Sequence, residues 1–293
     1  MTDTEAAASV ARLIALIDVE RLETDLFRGQ STDAGWSRVY GGQVVAQALM
    51  AASKTVDGAR LAHSCHSYFL RPGDPKAPIV YRVERDRDGK SFSSRRVIAV
   101  QHGRPIFNMA ASFQVAEDGF DHSIAKPPVA APDTLPSEAE LQSRNAASIP
   151  EPFRTLWSTR DRPIEFRPIE PQDPFMPVSQ PPLQHNWFRA AAPVPVDAVQ
   201  SRCLLAYASD MTLLDTCLMP HAVVWTDPAL RAASIDHALW FHATPDLNDW
   251  LLFAQDSPRA SGGRGINRGL IFTAGGELVA TAMQEGLIRY RAP

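Results

Sequence analysis

The sequence predicts an α+β fold made of two tandem copies of one unit, each a long helix wrapped by an antiparallel sheet. Three observations predict it. The chain has 293 residues, a length that favours two domains over one. A helical pattern followed by several strand patterns occurs before residue 117 and again after residue 182. The two stretches also share local motifs in the same order, and such self-similarity outranks other fold arguments.

Taken in order, Ile14 to Leu26 reads as a short helix leading into a strand around Leu26 to Ser31. Tyr40-Gly41-Gly42 then punctuates the chain, and Val44, Val45, Ala48, Leu49 and Ala52 fall on one helical face. Strand patterns follow at His66 to Leu70, Ile79 to Arg85, Phe92 to Gln101 and Ile106 to Val115, with His102-Gly103 as a hairpin turn. From Glu117 to Pro182 prolines are dense, which disfavours helix interiors and central strands, so an extended connection is expected. Trp187 to Ala191 reads as a strand. Ala198 to Met219 reads as a second long helix, apolar on nearly all sides and therefore buried. Strands are expected at Ala233 to His242, Trp250 to Asp256, Gly265 to Thr273 and Glu277 to Arg289.

The repeat matches the segment opening at His66 with the one opening at His237. Each is followed by a Pro/Asp turn, then by strands to a glycine hairpin at Gly103 or Gly275, then by a long strand carrying Gln114 or Gln284. The His-to-Gln separation is 48 residues in one copy and 47 in the other. The expected organisation is a first copy over 1–117, a connection over 118–182 and a second copy over 183–293. A helix beside an antiparallel sheet must bury itself against one face. A long helix wrapped in this way is the hotdog arrangement, and two copies give a tandem double hotdog with ligand clefts between the halves.

Composition narrows the function. A net charge of −4 and the absence of a dense Lys/Arg tract argue against nucleic acid as partner. No apolar run is long enough to span a bilayer, and Met1 to Val10 resembles neither a signal nor a transit peptide. Cys65, Cys203 and Cys217 are scattered, with no zinc spacing, and fit a reducing compartment; a cytoplasmic protein is expected.

No nucleophile elbow, P-loop or dinucleotide fingerprint is present, so any chemistry must come from scattered residues. Asp210 lies in a mostly apolar stretch, Leu204 to Leu214, where an ionised carboxylate is costly unless hydrogen-bonded. It either carries function or is tied down for structure. Ser234, Asp236 and His237 open a strand, and alternation puts Ser234 and Asp236 on one face and His237 on the other. Gln284 interrupts a strand of small and apolar residues. Arg259, Arg264 and Arg268 lie in and just after a Ser-Gly-Gly-containing loop, Ser257 to Gly265, and suit either phosphate recognition or a solvated surface.

The segments Tyr40 to Ala48, His66 to Asp74, Ser234 to His242 and Val279 to Gly286 together resemble the acyl-CoA thioesterase II family, in the same order and over nearly the whole chain. That resemblance implies a double-hotdog enzyme that hydrolyses acyl-CoA to free acid and CoA with no cofactor. It implies Asp210, Ser234 and Gln284 as the catalytic set, with Ser234 where bacterial members often carry Thr. Asp210 would deprotonate a water held by Ser234 and Gln284; covalent attack by Ser234 or Asp210 is the alternative. His66, Arg264 and Arg268 are candidate substrate contacts, and a homodimer or homotetramer is expected. The first copy's helix has Gln43 and Gln47 but no acid from Gly41 to Ser53, so one active site per chain is expected. Two competing readings are a non-catalytic acyl-CoA binder and a hydratase or dehydratase using His237 with Asp236.

Overall fold

The computed structural model describes residues 2–32, 38–144, 149–151 and 153–291. The first helix, α1 (Asp3–Ile17), begins earlier than expected. Thr2 and Glu5 cap it reciprocally, and Ala6, Val10, Leu13 and Ile17 form its buried stripe. The expected helix beyond Ile17 is instead a hairpin of β1 (Glu20–Glu23) and β2 (Leu26–Gly29). Helix α2 (Gly41–Ser53) is buried continuously from Gly42 to Ala52. Its two glutamines serve structure: Gln43 donates to the Gln30 carbonyl, Gln47 to the Leu16 and Gln30 carbonyls, and Tyr81 donates to Gln47 Oε1. Strands β3 (Arg60–Phe69), β4 (Ile79–Asp88), β5 (Phe92–Gln101) and β6 (Arg104–Val115) complete the first copy.

The proline-rich stretch is not uniformly extended. It carries the short helices α3 (Glu138–Arg144) and α4 (Phe153–Thr159), and β7 (Ile164–Pro168), which pairs with β8 (Leu183–Ala190) at the sheet's edge. Helix α5 (Ala198–Ser209) follows, with Asp197 and Gln200 as its capping box. It ends at Ser209, ten residues before the expected Met219, with Asp210 as its cap. Just beyond its end, Gln184 donates to the Thr212 carbonyl, the acceptor that a continuing helix would use, and Gln255 donates to the Thr212 hydroxyl. The chain continues as 3₁₀ turns at Leu213–Cys217 and Met219–His221. Then come β9 (Leu230–Ser234), β10 (Asp236–Phe241), β11 (Leu251–Ser261), β12 (Arg264–Thr273) and β13 (Leu278–Tyr290).

All strands join one antiparallel sheet in the order β1-β2-β4-β5-β6-β3-β10-β13-β12-β11-β8-β7, with β9 also on β13. The copies meet where β3 pairs with β10, from Tyr68↔Asp236 to Ser64↔Trp240. The inner face wraps α2 and α5, which pack on each other, and one core cluster runs through both copies from Val10 to Ala282. This is the expected tandem double hotdog.

The two faces of the sheet correct the repeat at its opening histidines. His66 is exposed on the outer face, whereas His237 is buried on the inner face, so the two cannot be equivalents. The inner-face residue opposite His237 across the copies is Ser67. Ser67 pairs in turn with Met109, as His237 stands opposite Gln284 one step from the Ala238↔Met283 pair. Gln114 points outward and donates to Glu117.

Candidate active site

Three elements of the second copy meet on the inner face, against the start of the first copy's helix. Asp210 caps the C-terminus of α5, Ser234 ends β9, and Gln284 lies mid-β13. The Gln284 amide joins them: Nε2 donates to Asp210 Oδ1 at 2.5 Å and to Ser234 Oγ at 3.0 Å. Both amide hydrogens are thereby used.

Ser234 reaches this face because of one inserted residue. Ser234 pairs with Gly286, but Ala238 pairs with Met283, so Ile235 and Asp236 together oppose Glu285. This is a β-bulge, and it reverses the alternation beyond it. The expected split of Ser234 from His237 is thus overturned: both turn inward. Asp236 turns away and accepts the Glu285 N–H at 2.6 Å. The Asp236–His237 pair that a hydratase reading needs is not formed.

Asp210 is 5% exposed at its side chain. Burial pushes its carboxyl up to about 6, while the Gln284 N–H, the Gly42 backbone N–H and the charge of Arg38 pull the other way. The Gly42 N–H belongs to the first turn of α2, whose free amides and dipole favour a negative charge. Close approach of the copies requires glycine here. A Cβ at Gly41 would stand 2.7 Å from Asp210 Oδ2, and one at Gly42 would stand 2.5 Å from the Tyr207 carbonyl oxygen. Tyr40 seals this contact, its hydroxyl donating to the Tyr207 carbonyl at 2.8 Å. The Tyr40-Gly41-Gly42 motif was legible in the sequence, but as a helix entry, not as part of an acid's environment. A second raised carboxyl, Asp215, is pushed by burial to about 7, yet its hydrogen bond comes from the Trp225 indole and not from the trio.

His237 is fully buried beside Asp210, its Nδ1 3.9 Å from Asp210 Oδ1 and its Nε2 2.9 Å from Ser209 Oγ. Burial holds its ring neutral, down to about 4. The hydrogen-bond partners of Asp210, Gln284 and the Gly42 N–H, are thus neutral and the His237 ring beside it is uncharged, an arrangement suited to taking a proton from a bound water. Among the described residues no group of three His, Cys, Asp or Glu could hold a metal ion.

The other three candidates lie elsewhere. The supposed loop at Ser257 to Gly265 is a tight hairpin joining β11 to β12, with Gly262 and Gly263 at positive φ in its turn. Arg264 pairs with Glu285 and Arg268 with Asp256, both on the outer face, where the His66 ring also packs edge-on against Trp240. The sheet separates all three from the trio.

Residues 157–287 match the family profile described as acyl-CoA thioesterase, and residues 31–114 match that of the acyl-CoA thioesterase N-terminal domain. The chain is 43% identical to acyl-CoA thioesterase 2 of Haemophilus influenzae, covering 95% of this chain and 97% of that protein. It is 38% identical to human acyl-coenzyme A thioesterase 8, over 94% and 88% of the two chains. Among solved structures, an acyl-CoA thioesterase II from Mycobacterium marinum superposes with a TM-score of 0.78 at 40% identity, over 96% of this chain and 99% of that one. A hot dog fold protein from Alicyclobacillus acidocaldarius, at 20% identity, shares the fold over 96% and 98% with a TM-score of 0.75.

Proposed function

Because this chain belongs to the acyl-CoA thioesterase II family and is an acyl-CoA thioester hydrolase, we propose that Asp210 is its general base and that Ser234 and Gln284 position the attacking water. The observation that carries this reading is the single amide of Gln284 bonded to both other members. Water gives a proton to Asp210 as its oxygen bonds to the thioester carbonyl carbon. Collapse of the tetrahedral intermediate breaks the C–S bond, and the departing CoA thiolate takes up the proton from Asp210. A carboxyl raised to about 6 is mostly carboxylate at neutral pH, yet basic enough to hold a proton between the two halves of this cycle. Ser234 is a poor nucleophile here, since its Oγ is bonded to an amide and His237 faces Ser209 and Asp210 instead.

Thiol release from saturated acyl-CoA substrates of graded chain length tests the reading. Turnover with stoichiometric free thiol is expected, and binding without thiol release, or hydration of an enoyl-CoA in its place, would overturn it. For Arg264, Arg268 and His66 we propose a contact with the CoA moiety outside the reacting centre. Arg264→Ala is then expected to raise KM with kcat unchanged; an unaltered KM removes the assignment. Cytoplasmic residence fits the free, buried state of Cys65, Cys203 and Cys217, and fractionation is its check. Assembly into a homodimer or homotetramer is read directly by sedimentation equilibrium, where a monomer mass would exclude it.

A further inference from the structure

We propose that the Nδ1 atom of His237 is the second acceptor for the attacking water, holding the O–H that Asp210 does not take. The inference rests on Asp210 as base, and it follows from where one hydroxyl hydrogen must go.

Helix α5 ends at Ser209, which leaves its last carbonyls without intrahelical partners. The Tyr40 hydroxyl serves the Tyr207 carbonyl and the Met211 N–H serves the Ala208 carbonyl. Ser209 Oγ lies 3.1 Å from the Ala206 carbonyl, to which it donates. A hydroxyl has one hydrogen. Ser209 therefore accepts from His237 at the 2.9 Å contact, which puts the ring hydrogen on Nε2. Nδ1 is left with a lone pair. It is fully buried, has no hydrogen-bond partner among the described residues, and faces Asp210 Oδ1 at 3.9 Å.

Two acceptors at that separation cannot bond to each other, and the distance is too long for a direct hydrogen bond in any case. It is the span that one water bridges, giving one hydrogen to each. A buried acceptor without a partner costs free energy, so the fold keeps this one against a penalty. A water held by both its hydrogens has its lone pairs directed away from Asp210 and His237. The Ser234 hydroxyl can donate to one of them, since Ser234 Oγ accepts from Gln284 and its own hydrogen is uncommitted to it. The other is left for the carbonyl carbon, and Gln284 positions this water through its bonds to Asp210 and Ser234.

Two variants separate this role from packing. His237→Asn can place an amide oxygen near the Nδ1 position, whereas His237→Gln reaches the Nε2 position and restores only the Ser209 contact. The expected result is that Gln loses about 100-fold in kcat with KM within about twofold, as misplacement of a reacting group does, while Asn recovers most of that loss. Equal rates in the two variants, or a fully active His237→Gln, would overturn the proposal and would assign the second hydrogen to Gln284 Oε1, which is also buried without a partner among the described residues. A measurement on the unaltered protein guards against variants that fail to fold. Nitrogen-15 NMR of the labelled histidines is expected to show His237 protonated at Nε2 and bare at Nδ1; hydrogen on Nδ1 would refute it. If Asp210→Asn proves fully active, the base assignment itself is wrong. If Asp210→Asn is inactive and His237→Gln is active, only the role of His237 is lost.

Discussion

Replacing Asp210 with Asn is expected to lower kcat by about 1,000-fold, the range that a positioned general base contributes, and to remove one component of the protein's pH-dependent stability. The amide keeps the shape of the side chain and cannot accept a proton. The stability effect follows from the buried carboxyl. Its folded-state value, about 6, lies above the ordinary 3.8. Between those two pH values the folded protein binds the proton more tightly than the unfolded chain does, so this group's contribution to stability falls as pH rises through the window. Above pH 6 the ionised group costs on the order of 3 kcal/mol, two units at about 1.4 kcal/mol each. The Asp210→Asn variant carries no charge to desolvate at this position and lacks that slope. Thermal melts of the two proteins from pH 4 to 8 are expected to diverge between about pH 4 and 6 and to run parallel above. In the same terms, kcat/KM of the unaltered enzyme is expected to fall tenfold per pH unit below about 6, because only the carboxylate is a base. Parallel melts throughout, or a rate that does not fall below pH 6, would show that Asp210 does not titrate as described.

Gln284→Ala has the second largest expected effect, about 100-fold in kcat, with a signature that a simple packing defect lacks. The amide donates to Asp210 at 2.5 Å, and that bond favours the carboxylate. Its removal raises the Asp210 carboxyl further, so the acid limb of the pH–rate profile is expected to shift to higher pH. It also frees Ser234 from its orienting bond at 3.0 Å. A lower kcat with the acid limb unmoved would separate Gln284 from the acid and leave it a role on water alone.

Much of this was legible in the sequence because it is local or periodic. The alternation over Phe92 to Gln101 yields β5 with its expected ends, and the broad apolarity of Ala198 to Ser209 marks a buried helix. The acid in that segment stands out because an ionised carboxylate among Leu204, Leu205 and Leu213 needs a reason. The ends of helices were less legible. Thr2, not Ile14, starts the first helix through a capping box at the chain's own beginning. The second helix stops at Asp210, and beyond it Gln184, from a distant strand, donates to the Thr212 carbonyl that a continuing helix would use.

By itself, the sequence determined two copies of a helix-and-sheet unit, an acid in one helix and none in the other, and a glutamine in an apolar strand. Each is a matter of residue type and local period. Only the tertiary structure decided which side chains face one another. One inserted residue between Ser234 and Ala238 turns Ser234 and His237 to the same side, and His66 and His237 prove to lie on opposite faces of the sheet. Strand periodicity has a period of two, so a single-residue shift in register exchanges the two faces of a sheet. No local pattern reports such a shift, because it is set by hydrogen bonds between segments some fifty to 170 residues apart. For the same reason the glycines that admit Asp210 to the start of the other copy's helix read in the sequence as a tight helix entry open to close backbone approach, and only the contact of the two helices shows what approaches them.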